Sequence, residues 1–264
     1  MPPYTRDLKA PEFRTRRCAS LVSSDPAATV TGMNSWHERP RAAFDLETTG
    51  RDPHTARIVT ASLVLVDEEG RPVQEREWLV DPGVEIPAEA AAIHGVSTER
   101  ARAEGLDAAT ATAGIAEALA GFFDAGIPVM AFNAAYDFTV LANECARYGL
   151  QTPTANPVID PFILDKQMDR YRRGKRTLVA LCELYGVRLE AAHTSAADAL
   201  ATIGVADALA RRYSGLCIDA VELHERQIGW CAQQAASFQE WLRRTDPEVL
   251  VDGVWPVRLM PAAV

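Results

Sequence analysis

The sequence predicts an α/β domain built on a mixed sheet with helices on its faces. Three observations carry that expectation. Three strand-like runs follow one another between residues 41 and 80; short apolar strands then alternate with segments of helical periodicity; and 264 residues with 48% hydrophobic and 24% charged content suffice for one substantial core.

Arg41 to Glu47 reads as a strand closed by the turn Thr48-Thr49-Gly50. Arg57 to Asp67 (RIVTASLVLVD) is rich in β-branched residues, Glu68-Glu69-Gly70 is a turn, and Val73 to Val80 completes a meander. A short helix is expected near Pro87 to Ile93. A longer one spans Asp107 to Ala125, with Ile115, Leu119, Phe122 and Phe123 on one face. Pro128 to Phe132 is an apolar strand leading into a helix from Ala134 to Tyr148, whose stripe is Phe138, Leu141, Ala142, Cys145 and Tyr148 and which Gly149 ends. Val158 to Asp160 is another strand, followed by a helix, a basic loop, a helix from Thr177 to Tyr185 and a long helix from about Ser195 to Arg212. A last helix, Ile218 to Arg244, spaces Val221, Ile228, Ala235 and Leu242 seven apart, with His224, Cys231 and Phe238 three positions later. That narrow seam is expected to pack on its own domain, with a homodimer as the alternative. The chain therefore divides into a leader (1–35) that reads as disordered, a main domain (36–213) and a C-terminal helical extension (214–264).

A formal charge of -9 and a pI near 5.1 mean that the mean field of the surface does not attract polyanions, so a nucleic-acid ligand needs local basic patches or bound cations. The five cysteines are odd in number and form no CxxC, which argues against a disulfide framework and a zinc knuckle and for a reducing, cytoplasmic setting. No apolar run reaches bilayer length, and the leader lacks the apolar stretch of a signal peptide, so no membrane partner is expected.

Asp45 and Glu47, two apart on the first strand, share one face, while Phe44 and Leu46 take the other. Two like charges in apolar surroundings repel, and a divalent cation relieves them. DxE alone is common on solvated strands. Asp137 sits near the start of a helix that follows a strand, where open α/β sheets assemble sites, although an acid in a first turn also simply stabilises its helix. In His193-Thr-Ser-Ala-Ala-Asp198, Thr194 or Ser195 can cap a helix, so that Asp198 falls in its first turn and His193 in the loop before it. The densest basic stretch, Lys166, Arg170, Arg172, Arg173, Lys175 and Arg176 around Tyr171, can grip phosphates or can be a solvated loop.

Together these segments resemble a known family. Phe44-Asp-Leu-Glu-Thr-Thr-Gly50, Ile93-His-Gly-Val-Ser97, Phe132-Asn-Ala-Ala-Tyr-Asp-Phe138 and His193-Thr-Ser-Ala-Ala-Asp-Ala199 fall in the order and spacing of the DEDDh 3'-to-5' exonucleases, which include the proofreading epsilon subunit of bacterial DNA polymerase III. The resemblance covers roughly residues 40–212. It implies a ribonuclease-H-like fold, with Asp45, Glu47, Asp137 and Asp198 binding two Mg2+ or Mn2+ ions and His193 as general base. It further implies substrate contacts from Leu46, Thr48, Thr49 and Asn133, with His94 shaping the site; Arg172 and Arg173 are the phosphate-gripping candidates of the basic stretch. The expected substrate is a single-stranded or frayed 3' end of DNA. RNA remains the alternative, since nothing in the motifs senses a 2'-hydroxyl. A rival from another class is a non-catalytic, nucleic-acid-binding polymerase accessory subunit. A polymerase or a second copy of the chain are the protein partners left open.

Overall fold

The computed structural model describes residues 35–189 and 194–258, so the leader as far as Asn34 and His193 lie outside the described residues. The meander forms as β1 (Arg41–Thr48), β2 (Ile58–Val66) and β3 (Pro72–Asp81), antiparallel throughout. After it come α1 (Ala88–His94), α2 (Thr98–Glu104), the two-residue β4 (Leu106–Asp107) and α3 (Ala108–Asp124). Then β5 (Val129–Met130), α4 (Ala135–Arg147), β6 (Val158–Ile159) and α5 (Pro161–Met168) alternate. The helices α6 (Leu178–Tyr185), α7 (Ser195–Arg212) and α8 (Ala220–Leu242) complete the chain. The sheet order is β4-β3-β2-β1-β5-β6, with β5 and β6 parallel to β1 and β4 parallel to β3, so the mixed sheet is as expected.

The alternation of β1 sorts the core into two layers. Ala42, Phe44 and Leu46 face α3 and α4, packing with Ile115, Leu119 and Phe138. Ala43 lies on the opposite face, with Val64, Met130, Ile203 and Leu209 beneath α5, α6 and α7. Asp45 and Glu47 continue that second row, so the pleat delivers both carboxylates to the α7 side. Arg41 opens the same row. Its guanidinium, 2% exposed as a residue, is bound by Asp207 on α7, Nε to Oδ1 at 2.9 Å, which fixes one end of that helix along β1.

Two elements escape the sequence reading. α2 is short and polar, burying only Thr98 and Ala101, so it has no apolar period; its one signal is Ser97, whose side chain caps Arg100 N–H. β4 is too short to be legible. The seam assigned to α8 is also corrected. Val221, Ile228 and Phe238 are exposed, and the buried face is Leu223, His224 and Gln227, with Trp230 and Cys231 half-buried beyond. The reason is polar: β6 is the sheet's edge, and α8 closes it. His224 Nδ1 accepts from Val158 N–H (3.1 Å), Gln227 Oε1 accepts from Asp160 N–H (2.7 Å) and Gln227 Nε2 donates to Val158 carbonyl (3.0 Å). Side chains thus satisfy a strand edge that would otherwise be unpaired. The helix does pack on its own domain. Among the described residues no helix is long and apolar enough to cross a membrane.

Candidate metal centre

β1 runs past its partner β5, which pairs only with Ala42 and Ala43, so the N–H of Leu46 points to no strand on that side. The carboxylate of Asp137 takes it, Oδ1 accepting at 3.1 Å. This contact brings the first turn of α4 against the end of β1. What aims α4 is Asp160 at the end of β6, which caps α5 through Phe162 N–H (2.9 Å) and also accepts from Asn133 N–H (3.0 Å) and Ala134 N–H (2.9 Å). Asn133 holds φ at +63°, a left-handed conformation that asparagine tolerates better than most residues, and this bend starts the chain into α4. The Asp160-Pro161 pair, a cap followed by proline at the first helical position, was the readable trace of this support.

Asp198 arrives from α7. Ser62 and Thr60 on β2 lie directly opposite Asp45 and Glu47 and so share their face. Ser195, in the first turn of α7, bonds the Ser62 hydroxyl at 2.7 Å, which seats that helix end on β2 and leaves Asp198 one turn further on, over the β1 acids. The sequence reading weighed Ser195 only as a cap. The structure gives Thr194 the cap position and Ser195 this docking role. Carboxylate oxygens of Asp45, Glu47 and Asp198 all lie within 4.8 Å of one another, drawn from two stretches more than a hundred residues apart, with Asp137 behind them on the third.

Burial and mutual repulsion set their protonation. Asp45 is pushed well above the usual carboxylate range, first by burial and then by Asp137, Asp198 and Glu47. Glu47 is pushed up to about 7 by burial and by Asp198. Asp137 is raised well above its ordinary value by burial, opposed by the Leu46 N–H bond. Asp160 is raised to about 6 by burial against the N–H donors that hold it. The charges acting on Asp45 are thus all acidic. A compact set of hard oxygen donors that repel one another at Asp45 suits a divalent metal ion.

Beside this centre is a groove of about 470 Å³ whose lining includes Leu46, Glu47, Thr48, Thr49, His94 and Tyr136. Three of the expected substrate contacts therefore line one groove with Glu47 of the candidate metal centre. Thr48 Oγ1 donates to Gly50 carbonyl at 2.9 Å and meets the Tyr136 hydroxyl; Thr49 Oγ1 accepts from Arg57 N–H at 2.9 Å. Tyr136, not foreseen, ties α4 to the β1–β2 turn. His94 Nδ1 accepts from Val96 N–H at 3.2 Å, and burial lowers its pKa, so the neutral ring faces the groove. Asn133 lines a separate small cavity of about 90 Å³. The basic stretch is divided. Arg172 donates to the fully buried Asp165 at 3.0 Å, Arg176 pairs with the same carboxylate and Tyr185 Oη donates to it at 2.7 Å. Arg172 therefore braces its loop, and Arg173 is the exposed member of the pair.

The exonuclease family RNase_T matches residues 42–206, which hold all four motifs and exclude α8. Among solved structures, the zinc-bound form of the Escherichia coli ExoI–ssDNA complex superposes with a TM-score of 0.58 at 21% identity, over 67% of this chain and 42% of that one. A moderately thermophilic exonuclease I from Methylocaldum szegediense gives 0.54 at 23% identity, over 67% and 42%. The E. coli enzyme with a dT13 oligonucleotide gives 0.56 at 21%, with the same coverage of each chain. This chain thus spans less than half the length of those proteins. No curated protein matches it.

Proposed function

This chain belongs to the RNase_T exonuclease family, and from that premise we propose that it is a metal-dependent 3'-to-5' exonuclease releasing nucleoside 5'-monophosphates from single-stranded or frayed DNA ends. The observation that carries the reading is the convergence of the half-buried Asp45, Glu47 and Asp198 within 4.8 Å, with the buried Asp137 beside them. Asp45, Glu47, Asp137 and Asp198 would hold two Mg2+ or Mn2+ ions, supplying Lewis acidity for attack by water on phosphorus and for departure of the 3'-oxygen. Asp137 anchors its end of the set to the backbone of β1, so α4 cannot drift from the strand that bears the other acids. His193 takes the proton of the attacking water; its ordinary pKa of ~6.5 suits a base near neutrality. Leu46, Thr48, Thr49 and the neutral His94 seat the terminal nucleotide in the groove next to Glu47, Asn133 contacts the strand from the start of α4, and Arg173 reaches a phosphate from its loop.

DNA is favoured over RNA because the superposing E. coli enzyme was solved with single-stranded DNA and with a dT13 oligonucleotide. A proofreading or repair role is the setting we assign. The deciding experiment is a time course on 5'-labelled single-stranded DNA and RNA, with Mg2+, with Mn2+ and with chelator. A ladder shortening from the 3' end, with mononucleotide product and no cleavage in chelator, is expected. Cleavage that survives the chelator, or release of the 5' label as a mononucleotide from the start without a ladder, would overturn it.

A further inference from the structure

Outside the family match, α8 carries two aromatic side chains that no core requires. Phe238 and Trp241, three apart on the helix, stack with ring centroids 5.8 Å apart and planes 11° from parallel, yet are 48% and 57% exposed. They border a groove of about 310 Å³ whose opposite wall carries Lys166 on α5 and Arg170 on the loop after it, beside Arg176, which is already paired with Asp165. The remaining lining is neutral, glutamine and serine, and no acid faces the groove among the described residues, on a chain whose net charge is -9. Arg170 Nη2 reaches Ser237 Oγ at 3.4 Å, joining the two walls, and Lys166 Nζ stands 4.8 Å above the Phe162 ring.

The groove also leads somewhere. Lys166, Gln234 and Phe238 line both it and the small cavity that contains Asn133 and Asp160, the residues that aim α4 and with it Asp137. Gln227 bonds the N–H of that same Asp160, and Trp241 lies ~21 Å further along α8 at 1.5 Å per residue. Stacked rings beside cations, without acids, are the surface that single strands use: bases add to the stack while phosphates meet the ammonium and guanidinium groups.

We infer that the α8–α5 groove binds the single strand upstream of the end being cleaved, bases on Phe238 and Trp241 and phosphates on Lys166 and Arg170. This deepens the exonuclease reading and rests on it for the direction of the strand. Its test compares the full chain with Trp241→Ala, Phe238→Ala, Trp241→Phe and Arg170→Glu. The substrates are 5'-labelled deoxyoligonucleotides of about 20 and about three nucleotides, and anisotropy binding of the longer one is measured in chelator. Removing a stacking ring is expected to weaken binding of the longer strand about tenfold and to lower the long-to-short ratio of kcat/KM equally, with Trp241→Phe retaining most of both. Arg170→Glu should also flatten the salt dependence. Full-strength binding by both alanine variants, or equal losses on both lengths, overturns the inference, and the former leaves the groove to a protein ligand. If the wild type binds with this dependence on Trp241 but hydrolyses neither strand, the exonuclease reading fails and the groove stands. If it hydrolyses both and the variants match it, only the groove fails.

Discussion

The contact between β1 and α7 has two ends built from the same kinds of residue and put to opposite uses. At one end, Arg41 and Asp207 are buried together, and the guanidinium also donates to the carbonyls of Arg39 and Asp67 at 3.0 Å. At the other, a few residues along the same strand face, Asp45 and Glu47 meet Asp198, and the charges that act on Asp45 are those of other acids. The first end is neutralised by the chain itself and holds the helix. At the second, burial and the neighbouring acids hold the carboxyls above the usual carboxylate range, Glu47 at about 7. Asp165 with Arg172, Arg176 and Tyr185 repeats the first pattern elsewhere. Where this fold needs a buried acid for structure it sets a guanidinium against it; where it gathers acids on acids, a cation from solution fits.

The sharpest break in that contrast is Asp45→Ala. Loss of the central acid should lower hydrolysis by about 10³-fold or more, since a metal site supplies several kcal/mol of transition-state stabilisation. Its folding should be intact by circular dichroism. His193→Ala should reduce turnover by about 10² to 10⁴ while calorimetry still detects Mn2+ binding. Wild-type hydrolysis by the Asp45 variant would end the assignment of the centre.

The opposite end should respond in stability. Asp207→Ala strands a buried guanidinium and is expected to cost about 3 kcal/mol in urea unfolding. Asp45→Ala should cost far less, or stabilise the metal-free protein, because it removes repulsion. Equal losses at both ends would erase the distinction.

How far the sequence foretold this arrangement follows from which forces leave a pattern. β1, its DxE and the helices bearing Asp137 and Asp198 were legible because strand alternation and helical periodicity are written in apolar residues, and the four motifs fixed their association. The supports were not. Ser195 against Ser62 is one hydroxyl pair between residues far apart in sequence; Gln227 is a polar residue buried to close a strand edge, so apolar spacing, which does pick out His224, passes over it for the exposed Val221 and Ile228. Arg172 was legible as a charge, but its partner Asp165 was not visible as one.

Ser195→Ala tests one of those hidden supports. It deletes a buried hydrogen bond, worth about 1 kcal/mol, and frees the start of α7 to shift Asp198. A lower Mn2+ affinity with a Tm change of only a few degrees is expected. Wild-type metal affinity would show that α7 is positioned without that bond.

The smallest effect is read from pH. Glu47 titrates near 7 in the folded chain against 4.5 when free, so the folded state binds the extra proton between those values. Stability of the metal-free protein from this group is therefore undiminished below about pH 4.5 and declines as pH rises through 7, the reverse of the usual carboxylate behaviour. In chelator, Tm should fall across that window, and Glu47→Gln should flatten the fall. Mg2+ or Mn2+, which competes with the proton for the same oxygens, should restore more stability at the alkaline end than at the acid end. A Tm in chelator that rises with pH, unaltered by Glu47→Gln, would mean that the acids are already neutralised within the protein, and the two ends of α7 would then no longer differ in kind.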